Sequence, residues 1–199
     1  MRALAALLLA ALATVGVAAA DYKIDTSHSS AQFAVAHLGI SKTKGEFADV
    51  QGTVSYDAAN PSATKIEAVI GVKTIDTKDE KRDGHLKSPD FFDVEKFPTM
   101  KFVSTKVEKA GNNKMKVTGN LTIKGVTKQV VLAVDGPTGE VKDPWGGLRR
   151  AASATTLINR KDFGITWNKT LDAGGLLVGD EVEIALEIEL IAQGAKASE

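Results

Sequence analysis

The chain has 199 residues, with 25 basic and 25 acidic side chains, 43% hydrophobic residues and no Cys. That length serves one domain with a full core, and the even charge balance points away from a basic nucleic-acid binder or an acidic disordered chain. Without cysteine there is no disulfide framework, no thiolate nucleophile and no cysteine-ligated metal.

Residues 1–20 stand apart. Arg2 precedes an apolar run that extends to Val17 and closes on Ala18-Ala19-Ala20. One basic residue, a short apolar stretch and a small-residue end describe a cleaved secretory signal peptide; about 15 apolar residues fall short of the roughly 20 that span a bilayer. No Cys follows the cleavage point, which excludes a lipoprotein anchor. Removing residues 1–20 takes away one cation, Arg2, and leaves 21–199 with a net charge of −1. The expectation is an exported, periplasmic domain with no permanent membrane anchor.

Beyond Asp21 the apolar residues alternate. Period-two patterning predicts strands at 22–26, 31–37 and 45–56. After the Asn60-Pro61 turn, Ile66, Ala68, Ile70 and Val72 share a face opposite Lys65, Glu67 and Lys73. The alternation then stops. Thr77-Lys78-Asp79-Glu80 reads as a capping box opening a short helix through Leu86, which Ser88-Pro89 ends. Ser88 can cap a further turn with Pro89 at its first position. Asp90 to Pro98 follows with Phe91, Phe92 and Phe97, a connection rich enough in aromatics to form a lid on a barrel end.

Strands resume at 99–108. Met115, Val117, Leu121 and Ile123 then oppose Lys114, Lys116, Thr118, Asn120 and Thr122. Two more strands are predicted at 128–135 and 149–158. The clearest alternation comes last: Val182, Ile184, Leu186, Ile188 and Leu190 oppose Glu181, Glu183, Glu187 and Glu189. Strands at this spacing, separated by Gly, Asn and Pro turns, predict an antiparallel sandwich or barrel. A membrane-spanning barrel would need the apolar face outward and two aromatic girdles, for which 6% aromatic residues is thin.

Familiar catalytic templates are missing from the sequence. His28, His37 and His85 are too far apart for a recognised metal spacing, and His37, alternating with Phe33 and Val35, reads as an inward, hydrogen-bonded core histidine. Asp79, Glu80, Asp83, Asp90 and Asp93 sit among Lys78, Lys81, Arg82 and Lys87, the pattern of a solvated surface helix. Asn168-Lys169-Thr170 matches a glycosylation acceptor, a pattern common by chance. More informative are the aromatics with basic neighbours: Phe91, Phe92, Phe97 and Phe102, then Phe163 and Trp167 after Asn159-Arg160-Lys161. They fit ordinary core, or an apolar cavity with a few polar groups at its mouth. A guanidinium among them would fork onto a phosphate or carboxylate head.

Several of these runs resemble the YceI-like family of exported, lipocalin-like barrels. Tyr22-Lys23-Ile24-Asp25-Thr26-Ser27-His28-Ser29 is similar to that family's opening strand. Further matches are Phe33-Ala34-Val35-Ala36-His37-Leu38, Gly45-Glu46-Phe47 and Arg82-Asp83-Gly84-His85-Leu86-Lys87-Ser88-Pro89-Asp90-Phe91-Phe92-Asp93. Asn159 to Trp167 and Val178-Gly179-Asp180-Glu181-Val182 complete the resemblance, which covers nearly all of 21–199. It implies an all-β fold, an antiparallel eight-stranded lipocalin-like barrel with a short helical cap, binding polyisoprenoid, quinone or fatty-acid-like lipids inside.

The expectation is a non-enzymatic lipid carrier. Its ligand-binding residues are expected to be Phe33, His37, Arg82, His85, Phe91, Phe92, Phe102, Asn159, Arg160, Phe163 and Trp167, with no cofactor or metal. Two alternatives stay open: an enzyme acting on an isoprenoid lipid, and an envelope stress or redox adaptor holding no lipid. Candidate protein partners are a membrane redox protein and a second copy of the chain; nucleic acid is not expected.

Overall fold

The computed structural model describes residues 19–172 and 174–194; all but the last two residues of the expected signal segment lie outside them. β1 (Ala20–Ile24) and β2 (Ser30–His37) run end to end along β11 (Val178–Ala192). Tyr22 pairs with Ala192 and Ile24 with Leu190, while Ser30 pairs with Glu187 and Val35 with Val182. The break between β1 and β2 is a 3-10 turn at Thr26–His28, capped by Asp25, whose carboxylate accepts from the Ser27 amide at 3.0 Å.

β3 (Ser41–Phe47) pairs with β2 and β4 (Val50–Tyr56) with β1, so the strand predicted at 45–56 begins earlier and is interrupted at Ala48-Asp49. The interruption lets β3 leave the line of β4. On this side β5 (Lys65–Gly71) therefore pairs with β4 and not with β3, from Val50–Ile70 to Ser55–Lys65. Beyond it come β6 (Thr99–Gly111), β7 (Lys114–Ile123), β8 (Val126–Asp135) and β10 (Leu148–Asn159), each antiparallel to its neighbour. β10 pairs with β11 from Arg149–Ile191 to Asn159–Glu181 and closes the ring. With β1–β2 and β3–β4 each counted as one stave, the result is a closed, up-and-down, eight-stranded antiparallel barrel. The two-residue β9 (Val141–Lys142) adds a rung beside β10 and is too short for alternation to predict.

The connection between β5 and β6, residues 72–98, carries α1 (Glu80–Lys87) and covers one end of the barrel. It is fastened at both sides. Val72 N–H donates to Pro98 C=O at 2.9 Å, and Glu46 and Asp76 exchange both backbone hydrogen bonds at 3.0 Å, which docks the connection on the free edge of β3. Among the described residues no helix is long and apolar enough to cross a membrane.

Inside, apolar side chains form two clusters, one around Tyr22, Val50, Val72 and Phe163 and one around Phe102, Val117 and Leu132. Two glycines allow large rings to lie on the sheet. A Cβ on Gly45 would stand 2.6 Å from the Phe33 ring, directly across the ladder, and one on Gly119 would collide with Phe102.

Candidate functional site

The cavity begins under the lid. α1 is capped by Asp79, whose side chain accepts from the Arg82 amide at 2.9 Å, not by Thr77 as the capping-box reading expected. Thr77 is only 4% exposed and is drawn inward to a different task. Its amide and hydroxyl both donate to Asp83 Oδ1, at 2.9 and 2.5 Å. Arg82 donates to the Thr77 hydroxyl oxygen and carbonyl, each at 2.7 Å. The exposed Arg82 side chain thus clamps the start of the helix through Nε and Nη2.

After Ser88 the chain turns back on the helix: Phe92 N–H donates to Leu86 C=O and Val94 N–H to Lys87 C=O. Ser88 Oγ accepts from the Asp90 amide at 3.3 Å, so it does cap the following turn. The turn aims Phe91 and Phe92 down into the barrel. The Phe92 ring meets Phe47 edge-on at 5.6 Å, and Phe47 lies 5.7 Å from Phe33. His85 stands edge-on to both Phe91 (5.0 Å) and Trp167 (4.8 Å), with Nε2 3.0 Å from Asp90 Oδ2. These rings make an aromatic ceiling whose geometry fits the edge preferences of π systems.

Trp167 is placed by Arg160. That residue is 5% exposed and its guanidinium is committed to the protein: Nε donates to Gly179 C=O, and Nη1 to Ile165 and Trp167 C=O, all at 2.8 Å. Nη2 reaches Val178 C=O and Asp180 at 3.4 Å. Burial pushes its pKa down from the usual arginine value. Arg160 therefore acts as a strut between the loop after β10 and the start of β11, and its donors are occupied where the sequence reading expected them to meet a head group. Asn159 does not line the cavity; it is exposed and its side chain caps the 3-10 turn at Arg160–Phe163 through the Lys161 amide. The acceptor-like Asn168 is also structural, its amide bonded to both the N–H and C=O of Val178.

Below the ceiling runs a cavity of about 620 Å³. Phe33, His37, Arg82, His85, Phe91, Phe92, Phe102, Arg160, Phe163 and Trp167 all border it. His37 is half-buried at the mouth, and its ring has no hydrogen-bond partner among the described residues, unlike the bonded core histidine expected. The walls are the inward positions of the strands. Ile184, Leu186 and Ile188 face inward yet are only half-buried, because the surface they show is the cavity's.

Three inward residues at the opposite end escaped the sequence reading. Arg150, Tyr22 and Tyr56 border the same cavity at its base. The signal was present: Arg150 sits in phase with Ala152, Ala154, Thr156 and Ile158, the inward set of β10. Burial raises the Tyr22 phenol pKa.

Outside the barrel, Asp25, His28 and Glu189 come close enough together to suggest a metal site. Arg149 occupies that place, donating from Nη1 to Asp25 and Glu189 at 2.6 Å each and from Nε to Asp143 at 2.8 Å. A guanidinium between the carboxylates supplies the charge a cation would, so the group reads as an ion-pair network.

The YceI-like domain model matches residues 22–190, and the chain belongs to that family. It is 43% identical over 194 residues to the UPF0312 protein of Ectopseudomonas mendocina (strain ymp), covering 96% of this chain and 98% of the relative. The crystal structure of Burkholderia cenocepacia BcnA superposes with a TM-score of 0.71 at 25% identity, over 83% of this chain and 98% of that one. A polyisoprenoid binding domain from Saccharophagus degradans, implicated in plant cell wall breakdown, shares the fold with a TM-score of 0.63 at 14% identity, over 86% of this chain and 98% of that one.

Proposed function

We propose that this YceI-like barrel takes up one long-chain amphiphilic lipid of the polyisoprenoid class, in the periplasm, and sequesters or carries it without covalent chemistry. The observation that carries the reading is the cavity itself: about 620 Å³ of apolar-walled space running from the aromatic ceiling to the barrel base. That size lies within the roughly 300–1,000 Å³ range of small-molecule sites. The ligand named for the Saccharophagus neighbour is consistent with it through the shared fold.

The driving force is burial. A chain of about 15 carbons, at about 0.8 kcal/mol for each methylene removed from water, outweighs the several kcal/mol of freedom lost on binding. Selectivity then rests on cavity length and on the few polar groups that the walls present. Exchange requires that the connection carrying α1 lift from the barrel end that it covers.

The test is native mass spectrometry of the protein purified from its own envelope. The expected result is a non-covalent adduct of lipid mass that extraction removes and added polyisoprenoid alcohol restores. Protein that comes bare and takes up no added lipid would overturn the proposal.

A further inference from the structure

An arginine on the inward face of an apolar barrel calls for a reason, since burying a cation is unfavourable unless its donors find partners. Arg150 is held on one side. Its Nε donates to the Tyr22 hydroxyl oxygen at 2.9 Å and its Nη1 to Thr138 C=O at 2.8 Å. Tyr22 in turn donates to Glu140 at 3.0 Å, and Glu140 lies 3.7 Å from Arg150 Nε. The guanidinium rests beside the rings of Tyr22 and Tyr56, 5.9 and 5.6 Å from their centroids. Its Nη2 has no protein partner among the described residues, and neither has the Tyr56 hydroxyl.

Two donor groups, the Nη2 of an arginine held by these bonds and the hydroxyl of the neighbouring Tyr56, thus stand without partners among the described residues at the base of the cavity. At the lid end the Arg160 guanidinium is committed to protein carbonyls, and Arg82, exposed on the lid helix, spends Nε and Nη2 on Thr77. We propose that Arg150 and Tyr56 form a head-group subsite that receives the acceptor oxygen, carbonyl or carboxylate, of a single-chain amphiphile. The tail then runs away from the base toward the aromatic ceiling. Glu140 balances the charge of Arg150, so the subsite works by donated hydrogen bonds, and a neutral carbonyl is served as well as an anion. The assignment rests on the reading of the cavity as a lipid site.

Binding of hexadecanoic acid, hexadecanamide and hexadecane to the lipid-extracted protein tests it. Arg150→Met should weaken the acid and the amide about tenfold, as loss of a charge-assisted hydrogen bond implies, and leave hexadecane unchanged. Tyr56→Phe, which removes only a hydroxyl, should weaken the two headed probes a few-fold at unchanged melting temperature. Weakening of the acid alone would assign the subsite to carboxylates; equal affinities in wild type and both variants would overturn it while leaving the lipid reading intact. Failure of all three probes to bind wild-type protein would overturn both.

Orientation gives a readout that does not depend on Arg150 variants folding. Trp145→Phe leaves Trp167, under the lid, as the sole tryptophan of a chain that has 2. Bromine at the tail end of hexadecanoic acid should quench it, and bromine next to the carboxyl should not. The reverse pattern would place the head at the lid and overturn the proposal.

Discussion

Arg149 and Asp25 show how single residues tie the outside of the barrel together. Hydrogen bonds from Ser27, then from His28 and Arg149, hold the Asp25 carboxyl well below the usual carboxylate range. The Arg149 guanidinium does the same for Asp143. Both folded-state values are depressed, so the unfolded chain binds more protons as acid is added. The stabilisation is fully present above the ordinary Asp value of about 3.9 and is lost as pH falls through the folded values. Urea unfolding should therefore show wild-type stability dropping from pH 5 to below pH 3. Asp25→Asn should be less stable at pH 7 and lose less over that interval; an equal drop in both proteins would refute the linkage. Residue identity alone did not reveal this network. Asp25, the nearby pair Asp143 and Arg149, and Glu189 come from three distant parts of the sequence, and only strand register brings them together.

At the level of the element, β11 is the sharpest case of pattern determining orientation. Leu186 faces the cavity and Glu187 is exposed, one residue apart, because successive side chains of a strand point to opposite faces. Leu186→Glu places a carboxylate in an apolar wall and should lower stability by several kcal/mol or abolish folding. Glu187→Gln should stay within about 0.5 kcal/mol of wild type. Denaturation midpoints of the pair check the assignment, and equal midpoints would contradict it. The helix was legible in place but not in its cap. Both Thr77 and Asp79 are good capping residues, and the choice fell to Asp79 because burial engages Thr77 with Asp83 and Arg82. Likewise the 45–56 run holds a break, marked by a one-residue change of phase: Phe47 faces inward at an odd position, Val50, Val54 and Tyr56 at even ones, and the two halves pair with different strands.

For the whole molecule, the up-and-down order gives each stave its chain neighbours as partners, and closure joins the last strand to the first two. Closure leaves edges at β3, at β9 and along the part of β8 that β10 does not pair, and the lid connection bonds to β3 through Glu46 and Asp76. It also leaves an interior that eight staves of mostly aliphatic residues do not fill, which is where the cavity comes from. The proposed exported form begins at Asp21. It keeps every β1 pair from Asp21–Ser55 onward and loses only Ala20–Tyr56. Osmotic shock should release a protein whose N-terminal residue is Asp21. An intact Met1 on envelope-purified protein, or recovery only with membranes, would count against export by cleavage.

Alternation by itself determined the β class, nearly every strand and the inward face of each, because side-chain period and burial are local properties of the chain. The resemblance of the Arg82–Asp93 and Asn159–Trp167 runs points to the barrel family from sequence alone. What the tertiary structure alone decided is which polar groups remain available. Arg160 and Arg150 are equally arginine in sequence. Carbonyls from the segment between β10 and β11, and from β11 itself, converge on Arg160 and occupy its donors, while the partners of Arg150, which borders the cavity, leave Nη2 without a bond among the described residues. Hydrogen-bond saturation depends on groups distant along the chain, so the fold had to form before either arginine had a role.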